Sequence, residues 1–179
     1  MIVSNVFEKF PDVFMKEQPD DEHEYIRMLG RIDNERVYRY IRRNFVQDNK
    51  YIDAYKVFIP EANGTGAIGE VVSTPLVGEP LVGVTDTFLC IGIYDNFAEA
   101  NNTLKYIKTK FVRAMLGILK VTQDNPRSTW RYVPLQDFTN DSDIDWSVSI
   151  HEIDLQLYRK YGLNDDEVQF IESRVKEMK

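Results

Sequence analysis

A change in hydrophobic period near residue 97 constrains this chain more than any other feature. Downstream, Leu104, Ile107, Phe111, Met115 and Ile118 recur every three or four residues, which predicts one helix from about Phe97 to Thr122 with a single apolar stripe. Upstream, apolar residues come in short alternating or continuous runs bounded by turn residues, the pattern of strands. A chain that is strand-like first and helical later is expected to be mixed α/β (α+β): a twisted β-sheet with a long packed helix. Its 179 residues suit one domain or one domain with a small appendage, long enough to fold without a disulfide or metal. The single cysteine, Cys90, lies in the apolar run Phe88–Ile91. A reducing, cytoplasmic setting fits it best. No apolar stretch approaches the ~18 residues of a membrane span, and the start lacks a basic-then-apolar signal.

The organisation follows from local signals. Residues 24–32 and 36–46 read as two strands joined by the Asp33-Asn34 turn. In the second, Val37, Arg39, Ile41 and Arg43 share one face, and Tyr38, Tyr40 and Arg42 the other. With neither face purely apolar, the strand suits an exposed binding surface. Residues 56–60 read as a buried strand, 63–69 as a glycine-rich loop, and 70–74 and 85–94 as β-rich, separated by turn signals at Pro75, Gly78, Pro80 and Gly83. Two helices are expected near 147–161 and 165–178. Gly162 sits just past the first, and Asn164 with Glu167 makes a capping-box start for the second. Their short link implies an antiparallel hairpin. Domain 1–138, with 1–23 as a weakly patterned lead-in, is therefore expected to carry the C-terminal helical hairpin, 139–179, packed on it.

Net charge is −7, which argues at first against a nucleic-acid partner. The sign is segregated, however. Residues 36–56 carry Arg36, Arg39, Arg42, Arg43, Lys50 and Lys56 against Asp48 and Asp53, a balance of +4. Residues 100–131 carry seven basic residues against Asp124, or +6, whereas 139–179 stands at −5. Two readings remain open: a basic binding face hidden in an acidic total, or internal pairing of the segments. On the helix, Lys105, Arg113 and Lys120 fall roughly opposite the apolar stripe with Lys110 toward the same side, so a basic face is expected there.

Motifs for independent chemistry fail on context. Gly64-Thr-Gly-Ala-Ile-Gly69 matches a dinucleotide fingerprint by letters, but Glu70-Val-Val-Ser-Thr-Pro75 follows where a phosphate-binding helix would have to start. Pro19-Asp20 with Asp48-Asn49-Lys50 fits the letters of a nuclease site, as does Glu177-Met178-Lys179 for its second half, yet such triplets arise by chance in a chain this charged. His23 and His151 are far apart with no cysteine cluster for zinc. Asp141, Asp143 and Asp145 lack the glycine and terminal glutamate of a calcium loop and read as an acidic turn before a helix.

Several strings together resemble one bacterial family: Lys56-Val-Phe-Ile-Pro60, Lys105-Tyr-Ile-Lys-Thr-Lys-Phe111, Val133-Pro-Leu-Gln-Asp-Phe138, Asp143-Ile-Asp-Trp146 and Ile153–Leu163. The chain is similar, over about residues 24–179, to the C-terminal region of restriction-modification adenine-specific DNA methyltransferases, including type II restriction enzymes that fuse methylation and cleavage. The resemblance implies a target-recognition region, comparable in role to TaqI-like specificity domains. The methyltransferase motif Asn/Asp-Pro-Pro-Tyr/Phe has only the partial echo Asp124-Asn-Pro-Arg127. This chain is thus expected to be non-catalytic, with no cofactor of its own. S-adenosylmethionine and Mg²⁺ would serve methyltransferase and endonuclease domains N-terminal in the same chain, and the partner would be double-stranded DNA, with no membrane.

Candidate DNA-binding residues follow from side-chain chemistry. Phosphate contacts are expected from Lys105, Lys110, Arg113, Lys120, Arg127 and Arg131. Base reading is expected from Arg36, Arg39, Arg42 and Arg43 toward guanine, and from Asn63, Gln123 and Asn125 toward adenine. Thr65 and Gly66 belong to the loop 61–70 that could enter a groove. The competing reading is a protein-interaction or dimerisation module using the acidic C-terminal helices (Asp154, Asp165, Asp166, Glu167, Glu172, Glu177).

Overall fold

The computed structural model describes residues 2–61, 74–119 and 127–178. The expected glycine-rich loop and nearly all of the strand at 70–74 lie outside the described residues. The mixed α/β class holds. In place of one sheet, the described strands form two three-stranded sheets.

In the first sheet, β1 (Tyr25–Ile32) and β2 (Glu35–Arg42) form an antiparallel hairpin. Asp33 and Asn34 take left-handed φ values of 50° and 65°, the two-residue turn whose twist matches the strands it joins. The second sequence strand ends earlier than expected, because Arg43–Phe45 turns into a short 3-10 segment. A short α1 (Val6–Lys9) and Phe14 cover the apolar face formed by Ile26, Met28 and Ile41. Gly30 allows this approach, since a Cβ there would stand 2.5 Å from Phe7 Cε2.

The second sheet centres on β3 (Tyr55–Pro60), flanked by β4 (Leu76–Gly78) and β6 (Phe88–Tyr94). Between these last two in sequence, β5 (Val82–Val84) joins the first sheet in parallel with β1. Both β4 and β5 fall where the sequence shows only the turn signals Pro75, Gly78, Pro80 and Gly83. At three residues each they are too short to show a period.

The long helix is a correction. It divides into α2 (Phe97–Lys108) and α3 (Lys110–Leu119), with Thr109 extended at ψ 149° between them. The apolar stripe divides with it. Leu104 and Ile107 pack on Val57, Ile59 and Leu89 of the second sheet, whereas Phe111 and Met115 join the cluster of the C-terminal helices. Ile118 is left exposed. The break is held by a tertiary contact together with one side chain beside it. A helix start leaves N–H groups without partners, and three acceptors are waiting at this one. Asp154 Oδ2 accepts from Lys110 N at 3.0 Å and Oδ1 from Phe111 N at 2.9 Å, while Thr109 Oγ1 accepts from Val112 N at 3.2 Å.

Asp154 belongs to α5 (Ile150–Lys160), which with α6 (Asp165–Arg174) forms the expected C-terminal pair. Short α4 (Arg127–Trp130) completes the helices among the described residues. The α6 capping box forms on Asn164 and Glu167, and Gly162 takes φ 65°. Ser149 and Glu152 make a second capping box at the start of α5. The hairpin shares one core with α2 and α3, built from Tyr106, Phe111, Val112, Phe138, Trp146, Ile153 and Leu157.

Burial pushes the Asp154 carboxyl up to about 6 against the opposing effect of its two backbone N–H donors. Asp154→Ala is expected to cost about 2–4 kcal/mol of stability at pH 7, because two buried N–H groups lose their acceptor; denaturant unfolding measures it. The folded chain holds the Asp154 proton more tightly than the unfolded chain, whose ordinary value is 3.8. That contribution is therefore complete below about pH 4 and lost as pH rises through about 6. The stability of the wild type relative to Asp154→Asn should fall by on the order of 3 kcal/mol across that window.

Candidate nucleic-acid interface

Among the described residues of the expected basic helix face, Lys105, Lys110 and Arg113 are engaged within the fold rather than free in solvent, a correction to the sequence expectation. Lys105 Nζ donates to the carbonyl oxygens of Trp146 at 2.6 Å and Val148 at 3.3 Å. Lys110 forms an ion pair with Glu172 and also donates to that residue's carbonyl oxygen. Arg113 is 2% exposed, and its Nε donates to the carbonyl oxygens of Lys108 and Thr109. Wheel geometry places these side chains opposite the apolar stripe, but the C-terminal helices pack on that side too. The acidic docking face of the alternative reading is reduced by the same packing. Asp154 is buried, and Glu172 is engaged by Lys110 and by Tyr158 Oη. Asp165, Asp166, Glu167 and Glu177 remain exposed.

The arginines of the hairpin are placed by its register. Pairing sets Tyr25 against Arg42, Arg27 against Tyr40, Leu29 against Tyr38 and Arg31 against Arg36, all on the face away from α1. Two of the four sequence-predicted arginines there are neutralised. Arg42 pairs with Asp21 at 3.4 Å and bonds Tyr25 Oη, while Arg43 pairs with Asp48 at 2.8 Å and Asp53 at 3.4 Å. Arg39 lies on the opposite face, 5.9 Å from the Phe7 ring centre, donating to the Tyr38 carbonyl oxygen.

Arg31 and Arg36 face each other across the ladder. Like charges directly across a strand pair repel, and here both guanidinium groups lie over one ring, 5.8 and 5.5 Å from the centre of Phe88. Arg36 also donates to the Thr74 carbonyl oxygen at 2.6 Å. Burial, then the neighbouring Arg31 charge, holds Arg36 below the usual guanidinium range. Arg31 makes no ion pair among the described residues. Arg27, 4.7 Å from the Tyr38 ring centre, lies along the same face and pairs with Glu79 at 3.9 Å. Neither Arg27 nor Arg31 was singled out from the sequence, although the two-residue turn at Asp33-Asn34 implies the pairing of 31 with 36.

Further along the chain, Arg127 and Arg131 are exposed. Arg131 stacks on Tyr132, 4.8 Å from its ring centre, and donates to its hydroxyl. Asn63, Thr65, Gly66, Lys120, Gln123 and Asn125 lie outside the described residues. The string Val133–Phe138, prominent in the sequence, does packing work. Gln136 is buried, with its amide donating to the hydroxyls of Tyr106 and Tyr161 and its carbonyl accepting from Lys160. The acidic turn is likewise structural: Asp143 takes Lys160 Nζ at 2.6 Å, and Asp145 accepts from Ser147 N and Oγ.

Among the described residues no helix is long and apolar enough to cross a membrane. Comparison of the chain with family models, with curated proteins and with solved structures returns no match.

Arg113 has no hydrogen-bond partner at Nη1 or Nη2, so its charge gains little from burial. Arg113→Met, of similar volume, should leave the melting temperature unchanged or raise it. A drop of more than about 4 °C in a calorimetric melt, roughly 1–2 kcal/mol for a chain of this size, would show that the guanidinium is an essential core contact.

Proposed function

We propose that this chain reads duplex DNA for a restriction-modification enzyme of the adenine-methyltransferase or type II endonuclease kind, and that it is the target-recognition part. Methyl transfer and cleavage, with S-adenosylmethionine and Mg²⁺, would belong to catalytic domains preceding it in a cytoplasmic protein. The single observation that carries the reading is the Arg31–Arg36 pair over Phe88. Two guanidinium groups side by side across a strand ladder present N–H donors of one sign to the same place. A phosphate matches the planar donor fork of arginine. Arg27, partly offset by Glu79 at 3.9 Å, adds a third cation on the same hairpin face, and exposed Arg127 and Arg131 add separate cationic points.

Binding to a random-sequence duplex pool at 50 and 200 mM salt, with sequencing of the bound DNA, tests the reading. Affinity should fall steeply with salt, and a short motif should be enriched. Arg31→Ala with Arg36→Ala should weaken all sequences about equally and reduce the log–log salt slope by about 2. Arg43→Ala, whose charge two aspartates already offset, should change affinity less than threefold, about 0.6 kcal/mol. Absence of binding at 50 mM, or an unchanged slope in the double variant, would overturn the proposal.

A further inference from the structure

A cavity of about 580 Å³ opens where the two sheets meet, lined by β5 of the first, β3 and β6 of the second, the Asn49–Ile52 turn and α4. That volume falls within the range of small-ligand sites. Its walls are largely apolar, with Phe58, Val82, Phe88, Leu89 and Ile91 among them. Apolar walls alone do not choose a ligand, but the charge around them does.

Among the described residues the lining holds two cations, Lys56 and Arg127, against one carboxylate, Asp86. Lys56 is 1% exposed, and its Nζ donates to the carbonyl oxygens of Ile52, Ala54 and Glu79 at 3.2, 2.9 and 2.8 Å. Burial lowers Lys56 to about 8, which leaves it charged at neutral pH. A cation sealed in this way cannot touch a ligand, yet its field reaches the cavity, because buried charge is screened little. Arg127 is exposed and is the cation that a ligand can meet directly. The Cys90 wall registers both charges. Burial pushes the Cys90 thiol up to about 11, and the Lys56 and Arg127 charges act against that rise. Arg31 and Arg36, 5.8 and 5.5 Å from the ring centre of Phe88, add positive charge beside the same walls. A concave site with apolar walls and an excess of one sign of charge concentrates ions of the other sign.

We propose that this cavity binds a small organic anion, an aromatic body carrying one acidic group, with the rings against the apolar walls and the charge toward Arg127. The rings would gain from burial against Phe58 and Phe88. The acidic group would match the guanidinium fork of Arg127. A neutral molecule of the same shape would gain only the first term, and a cation would be repelled. This inference does not rest on the DNA reading, and its test leaves that reading untouched.

The test compares two fluorescent probes built on the same rings, anilinonaphthalene sulfonate, which is an anion, and phenylnaphthylamine, which is neutral. Both brighten in an apolar site. A purely apolar cavity favours the neutral probe, the more hydrophobic of the two. The full chain should instead bind the anion more tightly, by at least about threefold. Arg127→Gln should weaken the anion about fivefold and leave the neutral probe within about twofold, with a thermal melt checking that the variant folds. The single cysteine, Cys90, lines the cavity and reports where the probe sits. Saturating anion should slow the reaction of Cys90 with methyl methanethiosulfonate by at least about fivefold in the wild type, an arm that needs no variant. Preference for the anion, dependence on Arg127 and protection of Cys90 together support the inference. Tighter binding of the neutral probe, unchanged anion affinity in folded Arg127→Gln, an unprotected Cys90 or no binding of the anion overturns it.

Discussion

The carboxylate of Asp154, carried on α5, closes the first turn of α3 by accepting from the backbone of Lys110 and Phe111, and much of the chain's second half depends on that contact. Without it, the periodicity of residues 97–119 would continue as one helix, and its stripe would face one surface. With it, the stripe is shared: α2 lies on the second sheet and α3 turns into the C-terminal helices. A carboxylate is well suited to a helix start, where N–H groups and the helix dipole both favour negative charge. Its cost is burial, which raises the Asp154 carboxyl and lowers Arg113 nearby.

The same packing explains how an acidic chain manages its segregated charge. Basic residues of α2 and α3 meet carboxylates and carbonyl oxygens of the C-terminal region: Lys110 with Glu172, and Lys105 with Trp146 and Val148. In the hairpin, Arg42 and Arg43 are matched by Asp21, Asp48 and Asp53. Internal pairing thus accounts for much of the charge pattern. Beside these pairs, Arg31 and Arg36 face each other over the Phe88 ring. Phe88 also lines the cavity between the sheets, so the cationic row and the cavity adjoin through one aromatic ring.

Legibility differed between elements for physical reasons. The hairpin at Asp33-Asn34, the capping box at Asn164–Glu167 and the helix end at Gly162 depend on residues within a few positions of each other, and each forms as the local pattern implies. Strands β4 and β5 did not announce themselves, because three residues cannot show alternation and they are held by neighbours more distant in the chain. Of the candidate site, Arg36 was visible as part of a basic cluster, but its distinction from Arg42 and Arg43 was not. All three are arginines on or beside one strand, and only folding brings Arg42 and Arg43 to carboxylates and Arg36 beside Arg31 over Phe88.

The sequence by itself determined the mixed class of the fold, the Asp33-Asn34 turn, the Asn164–Glu167 cap, the helix end at Gly162, and the presence of both strand and helix patterns. These follow from backbone preferences and short-range hydrogen bonds, which act between residues close in the chain. Tertiary structure alone decided where the helix breaks, which cations are neutralised and where a cavity remains. Those outcomes depend on pairs such as Lys110 with Asp154, or Arg31 with the Phe88 ring, separated by tens of residues. Burial and electrostatics depend on distance in space, and composition along the chain does not encode that distance.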